Sequence, residues 1–352
     1  MFGDTKIIDV DVHNQLTSAK DLLPYLPEPW KTRVAKAGVG MPDRGYPTPI
    51  GVLRKDCAPP GGGPAASDPE FLVQDLIEPF KIEYAILTGH MMDVSTLPEP
   101  DYAAAIASAW NDFMVEHWLP KHPSFRATIV VSSLDSALAV REIERMADHP
   151  QMVGIVMGSG QRALFGERQY HPLYEAAERL GLPISIHPGG EGAGPIPPPS
   201  AAGYPTRYLE YHTGLSQNYM AHLTSLVCEG VFEKFPNLKF VALEGGIAWL
   251  PHLMWQLDKN YKALRATVPW LKKLPSQYIR DNCLFSTQPI EEPDDPKQLL
   301  ALFDMIDAEN FLLFSSDYPH WDNDIPTEIL KRLSPDARQK IFYDNAKTLY
   351  RL

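Results

Sequence analysis

Cysteine is scarce in this chain: Cys57, Cys228 and Cys283 are the only three in 352 residues, far apart and without a CxxC pair. That excludes a disulfide framework and a thiolate zinc ribbon and fits a reducing compartment, where each reads as a small buried hydrophobe. Long apolar runs are also lacking, since no stretch approaches the ~18 residues of a membrane span. The opening MFGDTKIIDVDVHN has neither a basic nor an extended apolar leader, so a cytoplasmic protein with no membrane partner is expected. Positive charge is in deficit, with 32 Lys and Arg against 44 Asp and Glu and a net charge of −12. With no Lys/Arg stripe to offset that balance, nucleic acid is excluded as a partner. No GxGxxG follows the first strand and no GxxxxGK[ST] occurs, so nucleotide-binding open sheets lack support.

Apolar and aromatic residues are plentiful. Hydrophobic residues make up 44%, with seven Trp, fifteen Tyr and fourteen Phe, ample for a packed core. Short β-rich runs alternate with helical patterns. Strands are expected at 6–12, 84–88, 126–132, 152–157, 183–187, 239–244, 282–286 and 311–316, separated by helical stretches such as 68–80, 102–121, 134–147, 215–235 and 248–266. Helices near 325–333 and 335–350 close the chain. Runs such as FVAL and FLLF are apolar on both faces, as strands of a parallel sheet are. Eight strand-plus-crossover units predict an α/β fold, one (β/α)8 TIM barrel domain over residues 1–352, in preference to a doubly wound sheet. Two Pro/Gly-rich loops, 38–69 after strand one and 188–205 after strand five, leave the end of the barrel where chemistry is carried.

Polar residues at strand ends carry the functional signal. In IIDVDVHN, two-residue periodicity places Asp9, Asp11 and His13 on one face, toward the barrel interior, and Ile8, Val10 and Val12 against the outer helices. Unpaired charges there would cost several kcal/mol, and a divalent cation resolves the conflict, with Asp11 and His13 as ligands and Asp9 deeper behind them. His187 ends strand five, Glu244 ends strand six in phase with Phe240 and Ala242, and Asp317 ends strand eight with His320 three residues on. Four strand ends bearing Asp, His and Glu at one mouth specify a hard or borderline divalent metal.

With these residues the sequence resembles the amidohydrolase superfamily, in its aminocarboxymuconate-semialdehyde-decarboxylase-like branch, over nearly the whole chain. IIDVDVHN resembles that branch's strand-one motif, ISIHPGG its strand-five motif, FSSDYPHWD its strand-eight motif, and GVFEKFPNLKFVALEGGIAWLP its approach to strand six. The resemblance implies Asp11, His13, His187 and Asp317 as metal ligands, with Asp317 also handling protons. Two positions depart from it. Strand one carries Asp-x-His where many members have His-x-His or Glu-x-His, which favours Mn or Fe, or Zn with a more basic water. Strand six carries Glu244 where the branch's decarboxylases and hydrolases have His.

The main reading is a metal-dependent enzyme that hydrolyses or decarboxylates a small carboxylic acid. Asp317, Glu244 and His320 are the catalytic candidates, with Glu244 as general base or acid and His320 positioning the substrate. The alternative gives Glu244 and His320 to a second metal, making a dinuclear Fe or Mn/Fe oxygenase that hydroxylates a small aliphatic acid. A third reading is a non-catalytic barrel supporting an active paralogue. Arg207 and Trp321 are candidate substrate-binding residues; His212 and His222 read as lid or core histidines with polar partners. Relatives of this kind imply a homodimer or pairing with a paralogous chain.

Overall fold

A computed structural model describes residues 6–46, 52–326 and 330–352. Eight parallel strands form one sheet in sequential order: β1 Ile7–Val12, β2 Ile82–Leu87, β3 Phe125–Val130, β4 Met152–Gly158, β5 Ile184–His187, β6 Phe240–Ala242, β7 Cys283–Ser286 and β8 Leu312–Leu313. All eight expected strands are present. β8 is the shortest because regular pairing with β7 covers only Leu312 and Leu313. Beyond it the chain closes on β1 through Val10 N–H to Phe314 O (3.1 Å), Asp317 N–H to Asp11 O (3.1 Å) and His13 N–H to Tyr318 O (2.7 Å). A (β/α)8 barrel results.

The crossovers are helical where expected, including Pro100–Phe113, Ser136–Met146, Ser216–Cys228 and Leu250–Leu264. Asp135 caps Ser136–Met146 by accepting from the Ala137 and Leu138 amides, satisfying donors that a helix start leaves free. The expected 215–235 helix is broken at Gly230, whose φ of +74° suits glycine. The loop after β1 holds an unforeseen helix, Trp30–Ala37. Part of it lies outside the described residues, as do 327–329 of the helix expected near 325–333; among the described residues, 330–332 form a turn.

The facing assigned to β1 is corrected. Ile8 and Val10 do not pack on the outer helices. They join Ile86, Val241, Leu243 and Leu313 in an inner cluster, closed by Tyr343, Ala346 and Tyr350 of the C-terminal helical segment. Asp9 pairs in register with Ala85, which packs in the outer cluster. Between Asp9 and Val12 the register with β2 slips by one residue. This bulge returns Val12 to the outer layer and frees Asp11 and His13 for the mouth.

Candidate metal centre

Asp11, His13, His187 and Asp317 each offer one donor atom, and the four atoms lie within 4.8 Å of one another. All four residues are buried. Each histidine turns Nδ1 to a carbonyl, His13 to Gly89 O (2.7 Å) and His187 to Pro188 O (2.8 Å). A carbonyl only accepts, so Nδ1 carries the proton and Nε2 faces the carboxylates. His13 Nε2 lies 3.0 Å from Asp317 Oδ1 and 3.3 Å from Asp11 Oδ1; His187 Nε2 lies 3.3 Å from Asp11 Oδ2 and 3.0 Å from Glu244 Oε2. Asp11 Oδ2, His13 Nε2, His187 Nε2 and Asp317 Oδ2 have no hydrogen-bond partner. A buried set of two imidazole lone pairs and two carboxylates needs a positive centre, and its donors fit one divalent ion.

The field at the cluster points the same way. Burial lowers the basicity of His187, but Asp11 and Glu244 beside it override this and raise it well above the ordinary imidazole range. Burial opposes ionisation of Asp317, yet His320 and His13 hold it below the carboxylate range. Around the ligands, Thr88 Oγ1 donates to Asp11 Oδ1 (2.6 Å) and His320 Nδ1 lies 2.8 Å from Asp317 Oδ1. Asp9 Oδ1 accepts from Ser316 N–H (2.9 Å) and Asp11 N–H (3.3 Å). Burial pushes the Asp9 carboxyl up to about 7.

Backbone strain sits at two of these side chains. Glu244 has φ +53° and Asp317 φ +59°, a left-handed conformation costing about 1–2 kcal/mol in a non-glycine residue. At Glu244 this corrects the expected phase. Phe240 and Ala242 face the outer cluster, and the left-handed residue after β6 swings Glu244 inward to His187.

A cavity of about 390 Å³ opens over the ligands, walled by Tyr46, Tyr208, Tyr211, Trp321, Met92 and Arg44. Arg44 Nη2 lies 3.8 Å from Asp93 Oδ2, its side chain 35% accessible.

The match to the amidohydrolase family model spans residues 9–352. The chain belongs to the amidohydrolase family. It is similar to the gamma-resorcylate decarboxylases of Polaromonas sp., 26% identical over 294 residues, and Rhodococcus jostii, 25% identical over 305 residues. Each alignment covers 79% of this chain and 86% of the relative. The fold is that of the 5-carboxyvanillate decarboxylase of Novosphingobium aromaticivorans, solved with manganese, at a TM-score of 0.73 and 20% identity over 99% of this chain and 97% of that one. The amidohydrolase is thus a metal-dependent enzyme of the hydrolase and carboxy-lyase kind, and its relatives do not support the oxygenase reading. Among its described residues no helix is long and apolar enough to cross a membrane.

Of the residues expected at the amidohydrolase site, Asp11, His13, His187 and Asp317 form the cluster. Glu244 and His320 contact it from the pocket side, and Trp321 stands at the pocket wall. Arg207 does not join them: it is exposed, outside the pocket lining, and donates to its neighbour Thr206 O (3.4 Å). The pocket arginine is Arg44, from the loop after β1, where Pro/Gly richness marked the segment but no pattern singled out the residue. His212 pairs with Asp322 (3.2 Å), and His222 donates from Nε2 to Ser159 O (2.8 Å) while Nδ1 accepts from Phe165 N–H (3.2 Å). Gly89 was also missed. Its φ is +73°, and a Cβ there would lie 2.2 Å from the Trp110 ring, so glycine alone presents that carbonyl to His13.

Proposed function

We propose that this amidohydrolase is a non-oxidative decarboxylase of a hydroxylated aromatic acid. The observation that carries the reading is one pocket, walled by aromatic side chains, that is lined by His13 and His187 of the four-residue cluster and by Arg44. Tyrosine and tryptophan walls favour a flat ring. The guanidinium of Arg44 suits an anionic oxygen in bidentate geometry. The names of the relatives point to the same substrate class.

Asp11, His13, His187 and Asp317 would hold the divalent ion, which supplies Lewis-acid polarisation of substrate oxygens when bound. Arg44 holds the substrate's anionic group and the aromatic walls orient the ring. The Asp317–His320 pair holds the proton delivered to the ring carbon that bears the carboxylate. As the C–C bond breaks, its electron pair returns to the ring and carbon dioxide leaves. Glu244, 3.0 Å from His187 Nε2, stands beside the cluster as a general base or acid, at the strand-six position where the branch's decarboxylases have histidine.

The test incubates Mn- and Zn-loaded protein with 2,6-dihydroxybenzoate and 5-carboxyvanillate under argon, following carbon dioxide release and the phenolic product. Stoichiometric release of both without oxygen is the expected result. Turnover that requires oxygen, or hydrolysis of ester and amide analogues with no carbon dioxide released, would overturn the reading.

A further inference from the structure

A buried carboxylate away from the metal cluster ties its own loop to three other segments, two of its partners lining the pocket. Glu191, in the loop after β5, is 2% exposed. Its Oε1 accepts from Ser159 Oγ, from Gly189 N–H (3.2 Å) and from Asn218 Nδ2 (3.3 Å), and its Oε2 accepts from the Tyr211 hydroxyl (3.0 Å). Four donors from four separate places satisfy both oxygens, so the carboxylate is fixed rather than free to rotate. Tyr211 lies on the short helix Tyr208–Thr213, whose Tyr208 and Tyr211 line the pocket. Its ring stacks on Tyr46 with centroids 3.5 Å apart and planes 8° from parallel. Tyr46 in turn lies 5.8 Å from the Arg44 guanidinium, two residues back in the loop after β1. The same loop is pressed on the loop after β5: a Cβ at Gly45 would come within 2.7 Å of Gly192 O.

We infer that Glu191 is a positioning residue, which holds Tyr211 against Tyr46 and thereby sets Arg44 at the acid-binding side of the pocket. Its contribution to substrate recognition rests on the reading that Arg44 takes the substrate's anionic group. An ion at the cluster needs no contact with Glu191, because none of the four ligands hydrogen-bonds to it. The loop geometry and the metal therefore separate experimentally.

The test uses the full metal-loaded chain and two readouts. The first is tryptic cleavage after Arg44, followed by mass spectrometry, which depends on the loop and on no substrate. Glu191→Ala and Tyr211→Ala are expected to speed that cleavage at least tenfold with metal content unchanged. Glu191→Gln, which keeps an acceptor oxygen, stays within threefold of the parent. Tyr211→Phe removes only the hydroxyl contact and serves where an alanine variant fails to fold; it is expected to speed cleavage about threefold or more. The second readout is kinetics: Glu191→Ala raises KM for the aromatic acid about tenfold with kcat within twofold, and adding Arg44→Ala produces no further rise. Unchanged protection of Arg44 in Glu191→Ala and Tyr211→Phe overturns the inference even where the acid is turned over. Loss of protection with KM unchanged overturns the recognition role of Arg44 and leaves its anchoring by Glu191 standing.

Discussion

Asp9 and Ser316 lie 307 positions apart in the chain and are joined by a 2.9 Å hydrogen bond from the Ser316 amide to the Asp9 carboxylate. The same oxygen accepts from the Asp11 amide. One buried side chain thus braces the backbone at a metal ligand on β1 and the residue preceding another after β8, where the barrel closes. Asp9→Asn keeps the acceptor and is expected to fold and bind metal almost as the parent does. Asp9→Ala strands two buried amide donors at about 1–3 kcal/mol each. Thermal unfolding and metal analysis of the two variants will show a large loss only for alanine.

We propose that the four-residue cluster takes a single divalent ion. Elemental analysis of reconstituted protein is expected to give one divalent metal per chain, lost in Asp11→Ala and in His187→Ala and retained in Glu244→Gln. Chelation should lower the unfolding temperature, because an ion at a hundredfold its dissociation constant stabilises by about 2.7 kcal/mol. Two equivalents, one lost in Glu244→Gln, would restore the dinuclear reading.

Gly89 presents its carbonyl to His13 from a left-handed backbone. Gly89→Ala combines roughly 1–2 kcal/mol of backbone strain with overlap against Trp110 that costs about 1–3 kcal/mol. The expected outcome is a lower unfolding temperature together with weakened metal affinity, since His13 loses the contact that orients it. A variant as stable and as metal-bound as the parent would contradict this account.

Arg44 and Arg207 should behave oppositely. Arg44→Ala removes a charge-assisted contact of about 1.5–3 kcal/mol, corresponding to roughly a 10- to 100-fold loss of kcat/KM on the aromatic acid. Arg207→Ala, on an exposed loop outside the pocket, is expected to leave kcat/KM within twofold. Steady-state kinetics on both variants decides between them.

His222 makes the fold sensitive to acid at a point outside the four-residue cluster. Burial pushes its imidazole down to about 4, against an ordinary value of 6.5, while its bond to Ser159 O works the other way. The folded state resists a proton that the unfolded chain accepts. Stability from this residue is therefore complete above pH 6.5 and falls away as pH drops toward 4, by an amount on the order of 3 kcal/mol. Denaturant unfolding across that range should show a slope that His222→Gln reduces.

Much of the architecture was legible in the chain because its cause is local. Buried parallel strands need apolar runs such as FVAL and FLLF, and the crossovers between them need helical periodicity, so the barrel could be read before any contact was known. The same holds for the ligands. Asp11, His13, His187 and Asp317 stand at strand ends, and a barrel gathers the ends of its strands at one mouth. Two-residue alternation failed where the backbone departs from a regular strand. The bulge at Asp9–Val12 reversed the facing of Ile8 and Val10, and the left-handed residue at Glu244 turned a side chain from the outer phase inward.

The pocket wall was not legible, and Arg44 and Glu191 show why. Arg44 sits in an irregular loop whose path depends on a tyrosine stack with Tyr211, 165 positions beyond Tyr46 in the numbering, and Glu191 matters only through donors drawn from four different segments. The sequence by itself determined the strand order, the barrel and the chemical type of the metal ligands, because periodicity and strand-end chemistry act over a few residues. Tertiary structure alone decided which arginine enters the pocket, which donors surround Glu191 and which way Glu244 points. Those outcomes depend on backbone twists and long-range hydrogen bonds that no short window of sequence contains.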